Sequence, residues 1–379
     1  MAPVGGGTPG TGGATLPYAL SQTAQRYPVT LYSARDCAPC DSGRNLLVNR
    51  GVPFSEKTVQ SNEDIEALQR LAGIADGFLV HNRPIVRHVD DSIVRVIAGR
   101  EMILRRARGY APLPIESPDP VQPTLAVGAH LKNAIALGAG INIFISQHIG
   151  DLETPQAYGA FFEVIGNFQR VYETTPASVA CDLHPDYLST HYAEQTGLPV
   201  QRVQHHYAHV LSCMAEHRLH GPVLGVSWDG TGYGPDGTIW GGEFLRATRE
   251  GFTRFAHLRS FPLPSGEKAI QEPRRTALGL LYECLGEEVF RRTDLPPIPT
   301  FTNAELGVLR NLLEKGLHAP RTTSVGRLFD AVAALMGLRL KVSFEGQAAM
   351  ELEFALAGAR TDEAYPFGFH ENPAGSSGQ

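Results

Sequence analysis

The sequence predicts an α/β fold, with one large domain preceded by a small unit of the same class. From Thr124 onward, short apolar runs alternate with longer stretches in which apolar residues recur every three or four positions. That alternation is typical of strands joined by helices. Residues 28–72 show the same alternation on a smaller scale. We therefore expect a small α/β unit followed by a substantial α/β domain.

The individual elements follow from local patterns. In the small unit, residues 28–32 and 54–59 are predicted strands, and helices are predicted up to about Arg50 and over 62–71. In the large domain, Thr154 and Pro155 are typical of a helix start, and Gly197 of a helix end. The strands predicted there are 125–127, 141–145, 178–182, 200–203 and 223–228, and the helices are 155–172, 187–195, 206–217, 269–285, 303–315 and 324–338.

Shifts in amino-acid composition predict the boundaries between segments of the chain. Residues 1–27 form a glycine-rich leader that we expect to be disordered. Five prolines within 112–123 predict a linker at 116–123. The predicted organisation is thus the leader, a small unit over 28–73, a segment of different texture over 74–115, the linker, and the large domain over 124–379.

Bulk properties exclude several classes of protein. The chain has 379 residues and a formal charge of −6, and no basic block favours nucleic acid as a partner. No apolar run reaches the roughly 18 to 20 residues of a membrane span, and no secretory signal is visible. Five scattered cysteines do not form a disulfide scaffold, so a reducing cytoplasm is the simplest setting.

His205 and His209 are the strongest candidates for metal binding. Two imidazoles four residues apart lie on one face of a helix and can grip one ion, with Asp229 as a candidate oxygen ligand. Taken alone, the spacing fits a polar helix face with satisfied histidines better than it fits a metal site. His206 between them is interpreted as a substrate contact or an exposed residue.

The glycines that follow Asp229 indicate a second kind of site. Gly230, Gly232 and Gly234 come directly after an apolar strand, so backbone N–H groups in a glycine-rich turn there can approach a phosphate. A plain β-hairpin is the competing interpretation.

Two further motifs have a functional and an ordinary interpretation. Ser324 followed by Gly326 predicts a helix N-terminus that can receive an anion, with Asp330 able to bond a ribose hydroxyl; an ordinary capped helix is the alternative. Cys37 and Cys40 form a C-x-x-C pair at a helix start, which suits a redox dithiol, or they are two inert thiols.

Residues 74–379 resemble the HypF-type carbamoyltransferases that mature [NiFe]-hydrogenases. Many stretches match in the same order: 81–86, 89–92, 105–112, 128–133, 146–152, 182–187, 204–209 and 344–349. The resemblance implies the end of a YrdC-like domain at 74–115 and most of a Kae1-like domain at 124–379. The Kae1-like domain belongs to the actin/Hsp70-like nucleotide-binding class.

The resemblance also implies a reaction and its site residues. The family makes carbamoyl adenylate from carbamoyl phosphate and ATP and passes the carbamoyl group to the C-terminal cysteine of HypE. His205, His209 and Asp229 would bind a divalent metal, either iron or zinc. Lys132 and the turn of Gly230, Gly232 and Gly234 would face phosphate, while Gly326 and Asp330 would face the ribose and base, with Glu345 nearby.

The chain also departs from the family pattern. Residues 28–72 resemble a partial glutaredoxin-like, thioredoxin-fold unit through residues 31–33 and 37–40. The YrdC-like part is expected to be mostly missing and the Kae1-like part to be incomplete at its C-terminus, so the full reaction is expected to be impaired. The alternatives are a thiol–disulfide protein that uses Cys37 and Cys40, and a non-functional fusion.

Overall fold

A computed structural model describes residues 29–33, 38–50, 52, 54–58 and 87–370. The chain divides into two compact units, residues 1–88 and 89–379. Among the described residues, no helix is both long and apolar enough to cross a membrane.

The first unit contains a strand–helix–strand motif. Strand β1 (Val29–Ser33) and strand β2 (Phe54–Thr58) pair in parallel, and helix α1 (Ala38–Asn49) connects them along the chain. Parallel pairing needs such a crossover, because the chain must return to the starting edge. These three elements confirm the two predicted strands and the helix between them, whereas the helix predicted at 62–71 lies outside the described residues.

The second unit begins with a hairpin and a four-stranded sheet. Strands β3 (Ile93–Ile97) and β4 (Arg100–Arg105) form the antiparallel hairpin. The sheet has the order β6–β5–β7–β8, in which β5 is antiparallel to β6 and parallel to β7, and β7 is parallel to β8. Its strands are β5 (Pro114–Ala126), β6 (Ala136–Ile145), β7 (Ser178–Asp182) and β8 (Val200–Val203).

Two helices cover this sheet and form its core. Helix α2 (Pro155–Val171) is capped by Thr154, whose hydroxyl accepts a hydrogen bond from Ala157 N, and α3 (Leu188–Gln195) follows β7. Phe161, fully buried on α2, belongs to the largest apolar cluster together with residues of β5 and β7. Burial of this apolar stripe, more than helix propensity, stabilises α2.

The linker predicted at 116–123 is wrong, because these residues lie within β5. The pairing of β5 with β6 shifts register between Glu116 and Val121 and again between Val121 and Thr124. Pro118, Pro120 and Pro123 fall inside these two irregular stretches. A proline lacks the N–H of a regular ladder and is tolerated at bulges, so proline content alone misidentified a bulged strand as a linker.

A second sheet is built from the strands that follow. Strand β10 pairs with β9 and β11 in antiparallel fashion and with β13 in parallel at one residue, and β13 pairs with β12. The strands are β9 (Val223–Tyr233), β10 (Ile239–Ala247), β11 (Phe252–His257), β12 (Phe261–Pro262) and β13 (Arg321–Thr322).

Six helices accompany this second sheet. They are α4 (His205–Glu216), α5 (Glu267–Gln271), α6 (Pro273–Leu285), α7 (Asn303–Lys315), α8 (Val325–Leu335) and α9 (Gln347–Ala355). Helix α7 begins with a capping box, in which Thr302 and Glu305 bond each other's backbone N–H. The helices predicted near 269–285, 303–315 and 324–338 are confirmed, the first being divided into α5 and α6.

Glu243 is a buried carboxylate that ties the second sheet together. Its oxygens accept hydrogen bonds from Arg254 Nε at 2.6 Å, from Gly241 N at 3.1 Å, and from the Thr323 hydroxyl. Burial alone would raise the pKa of Glu243, but the bonds and charge of Arg254 and the other donors outweigh it and lower the pKa. The ionised carboxylate therefore stabilises the folded sheet.

We predict that Glu243→Gln lowers the free energy of unfolding by about 3 kcal/mol at pH 7, because the Arg254 guanidinium loses its fully buried partner and keeps only the more exposed Asp236, 3.0 Å from its Nη1. Since the folded pKa of Glu243 is lowered, its contribution is present above the ordinary pKa and is lost as the pH falls through the folded value. The gap between wild type and variant should thus shrink as the pH drops below about 4. Urea unfolding at several pH values measures this gap.

Glu163→Gln, on an exposed position of α2, is the matched control for this charge removal. A Glu243→Gln protein as stable as the Glu163→Gln protein at pH 7 would contradict the role of Glu243.

Candidate metal centre

Helix α4 places two imidazoles side by side. Its N-cap is Gln204, whose side-chain oxygen accepts a hydrogen bond from Tyr207 N at 2.9 Å and so fixes the first turn. His205 and His209 lie one turn apart, and their Nε2 atoms are 3.2 Å from each other. The prediction that both imidazoles lie on one face of a helix is confirmed.

A bulge in β9 brings Asp229 to these histidines. The pairs Trp228–Gly242 and Gly232–Trp240 flank the irregularity, so β9 has three residues between them where β10 has one. The Oδ2 atom of Asp229 lies 3.0 Å from His205 Nε2 and 3.6 Å from His209 Nε2. Bulges commonly re-aim side chains in this way next to functional sites.

The glycine-rich turn was predicted at 229–234, but the chain turns a few residues later. Gly230 and Gly232 lie in β9, and the chain reverses after it, where Gly234 N donates to Thr238 O at 3.0 Å. Gly232 is required by packing, because a Cβ there would lie 2.3 Å from His206 Cε1. The competing interpretation of a β-hairpin is confirmed, since β9 and β10 pair in antiparallel fashion, and the glycines within β9 let this strand approach α4.

Asp182 is a site residue that the sequence interpretation missed. It ends β7, is buried, and its Oδ2 atom lies 2.8 Å from His205 Nδ1. Its other oxygen accepts a hydrogen bond from His184 N at 2.8 Å, which fixes the carboxylate. An acidic residue at the end of a buried strand was the available signal, although nothing local paired it with His205.

The electrostatics of His205 show that the centre attracts positive charge. Burial lowers the pKa of His205, but hydrogen bonds to Asp182 and Asp229 outweigh it and raise the pKa to about 9. Burial likewise opposes ionisation of Asp229, yet the bonds from His205 and His209 hold its pKa well below the usual range. The centre is therefore built to hold a cation, whether a proton or a metal ion.

The donor set fits a divalent transition metal. The ligand atoms of His205, His209 and Asp229 all lie within 4.8 Å of one another. When a metal is bound, Asp182 would keep a proton of His205 on Nδ1, because a carboxylate only accepts, and the ion would take the place of the Nε2 proton that faces Asp229. Two imidazoles and a carboxylate suit zinc or iron and leave positions open for other ligands.

His206 is neither exposed nor placed to contact a substrate. It is fully buried, and its Nδ1 atom lies 3.2 Å from Gln204 Nε2. Burial, reinforced by the neighbouring His205, lowers its pKa to about 4, so the ring is neutral. The expectation of a contact or exposed residue was wrong, because the close approach of β9 covers this ring.

The residues predicted on the nucleotide side form a second group. Lys132 Nζ lies 2.8 Å from Glu345 Oε2, and Asp330 Oδ2 lies 3.0 Å from Arg327 Nη1. Burial raises the pKa of Asp330 to about 6, Arg327 opposes the rise, and the charge of Glu345 adds to it. Lys132 and Glu345 thus form an ion pair, and the charge of Glu345 acts on Asp330, whereas contact of these residues with a nucleotide stays a prediction.

Gly326 has a packing role in this structure. A Cβ on Gly326 would lie 2.8 Å from Gly230 Cα, so α8 begins directly against the β9 bulge.

Of the predicted redox pair, Cys37 lies outside the described residues and Cys40 lies in α1. The redox interpretation therefore stays a prediction.

We predict that the purified protein binds zinc or iron and that His205→Ala/His209→Ala abolishes this binding, because two of three ligand atoms are lost. Inductively coupled plasma mass spectrometry measures the metal content. His217→Ala, which removes an exposed histidine at the end of the same helix, should leave the content unchanged. Equal metal in wild type and double variant would contradict the site.

We also predict that Asp182→Asn weakens metal binding by about tenfold, because the amide no longer fixes the proton and orientation of the His205 ring. Competition against a chromophoric chelator measures the affinity. Asp186→Asn, on the exposed loop after β7, is the control. An unchanged affinity in Asp182→Asn would show that the contact at 2.8 Å does not support the ligand.

Comparisons with known proteins address this same region. Residues 119–216 match the family model of the HypF Kae1-like domain, and residues 225–377 match that of the second subdomain of the Kae1-like carbamoyltransferase domain. The chain is 47% identical over 318 residues to the carbamoyltransferase HypF of Synechocystis sp., which covers 80% of this chain and 41% of the relative. It is 42% identical to HypF2 of Cupriavidus necator, over 81% of this chain and 38% of the relative.

The fold agrees with a solved HypF structure. A crystal structure of full-length HypF in its phosphate- and nucleotide-bound form superposes with a TM-score of 0.76 at 43% identity, covering 83% of this chain and 40% of that chain. The chain spans about two fifths of the length of these relatives. With its mixed α/β sheets and a Kae1-like region over 119–377, the chain belongs to the HypF carbamoyltransferase family.

Proposed function

We propose that this chain takes part in [NiFe]-hydrogenase maturation by transferring a carbamoyl group from carbamoyl adenylate to the C-terminal cysteine of HypE. The observation that carries the proposal is the convergence of His205, His209 and Asp229 in a HypF Kae1-like region. The adenylate would come from carbamoyl phosphate and ATP.

The proposed transfer exchanges one bond for another at the carbamoyl carbon. The HypE thiolate forms a C–S bond, the C–O bond to the phosphate of AMP breaks, and AMP leaves with the electron pair. A divalent metal bound by the two histidines and Asp229 would supply Lewis acidity toward the carbamoyl oxygen. Asp182 keeps His205 in the orientation and tautomer that this role needs.

The group of Lys132, Asp330 and Glu345 supports the nucleotide side of the proposal. Lys132 offers an ammonium to a phosphate, and its backbone N–H is held by Asp151 Oδ1 at 2.7 Å, which fixes the loop. The proposal assigns Asp330 to the ribose, as the family resemblance implies, with Glu345 nearby; in this structure Asp330 is buried against Arg327. A relative in this family has been crystallised with phosphate and nucleotide bound, which agrees with such a site.

The test is transfer of label from [14C]carbamoyl phosphate to purified HypE in the presence of ATP. One reaction contains this chain alone, and a second adds a HypF relative whose matching histidines are replaced, as a source of carbamoyl adenylate. We expect labelled HypE in the second reaction with wild type and background labelling with His205→Ala/His209→Ala, because the proposed ligands are gone.

HypE with its C-terminal cysteine replaced by alanine should stay unlabelled and shows that the acceptor is that thiol. Equal labelling with wild type and the double variant, or no labelling with wild type in either reaction, would overturn the proposed transfer.

A further inference from the structure

Ser324 caps helix α8 from a fully buried position. Its side-chain oxygen accepts a hydrogen bond from Arg327 N at 3.0 Å, which satisfies one of the free N–H groups of the first turn. Such a cap is ordinary for a serine before a helix. The other contacts of the same hydroxyl are not ordinary.

The Ser324 hydroxyl also bonds the β9 bulge. Its oxygen lies 2.8 Å from Asp229 O and 2.9 Å from Gly230 O. Carbonyl oxygens only accept, so the single hydroxyl proton is donated to this pair of carbonyls. One side chain thus joins the start of α8 to the backbone of the residue whose carboxylate faces His205.

Packing leaves little freedom around this contact. A Cβ on Gly241 would lie 2.5 Å from Asp229 O and 2.8 Å from Ser324 Cα. Strand β10, the bulge of β9 and the start of α8 are therefore in backbone contact. At the bulge, β9 is not regularly paired with β10. The Ser324 hydroxyl therefore gives the carbonyls of Asp229 and Gly230 a hydrogen-bond donor that regular sheet pairing does not provide there.

We propose that Ser324 is a positioning residue for the metal centre: its hydroxyl fixes the bulge from which Asp229 reaches His205 and His209. The inference rests on the proposed metal role of Asp229. Ser324 does not touch the ion or the substrate; it acts through the backbone of Asp229. Because α8 also carries Asp330, the same hydroxyl joins the metal centre to the helix on the nucleotide side.

The test is the affinity of the full chain for Co²⁺, measured by chelator competition, together with the visible absorption of the bound ion. Ser324→Ala should bind Co²⁺ about tenfold more weakly than wild type, the lower range for loss of a group that orients a ligand. Its absorption spectrum should change, because a displaced carboxylate alters the ligand field.

Thr302→Ala is the matched control, because it also removes a serine- or threonine-type N-cap bond, at α7, away from the β9 bulge. Both variants should lose stability in urea unfolding, but only Ser324→Ala should change the affinity and the spectrum. If Ser324→Ala binds Co²⁺ like Thr302→Ala, the positioning role is overturned while the metal site stands. If wild type binds no Co²⁺, both the metal site and this inference are overturned.

Discussion

The site depends on one imidazole held between two carboxylates. His205 contacts Asp182 through Nδ1 and Asp229 through Nε2, at 2.8 and 3.0 Å. Asp182 ends a strand of the first sheet, and Asp229 belongs to the second. The ring therefore joins the four-stranded and the five-stranded sheet, and Asp229 reaches a His205 ring oriented by Asp182 only when both sheets hold their positions.

Local patterns were sufficient to predict much of this architecture. Strands 178–182 and 200–203 have the predicted bounds, and the helix that carries His205 and His209 starts one residue early. Each depends on features within one segment, such as a cap, an apolar run or a spacing of four residues. The histidine pair was visible for the same reason, since both side chains belong to one helix.

The remaining features depend on contacts between distant segments. The bond from Asp182 to His205 and the burial of His206 arise only after β7, α4 and β9 meet. The proline-rich strand β5 was mistaken for a linker, because its register shifts against β6 are invisible in its own sequence. The glycines of β9 were likewise misinterpreted from the sequence. They suggested a turn, whereas Gly232 allows β9 to pack closely against His206, a contact that its own segment does not reveal.

The bulge in β9 implies a compromise between the sheet and the site. A ladder without it would pair β9 with β10 continuously and would satisfy more backbone groups. That more regular sheet would draw Asp229 back into line and away from the histidines. Deleting the two extra residues would thus restore sheet hydrogen bonds and withdraw a ligand, so at this point of the chain a more regular fold and a complete site are mutually exclusive.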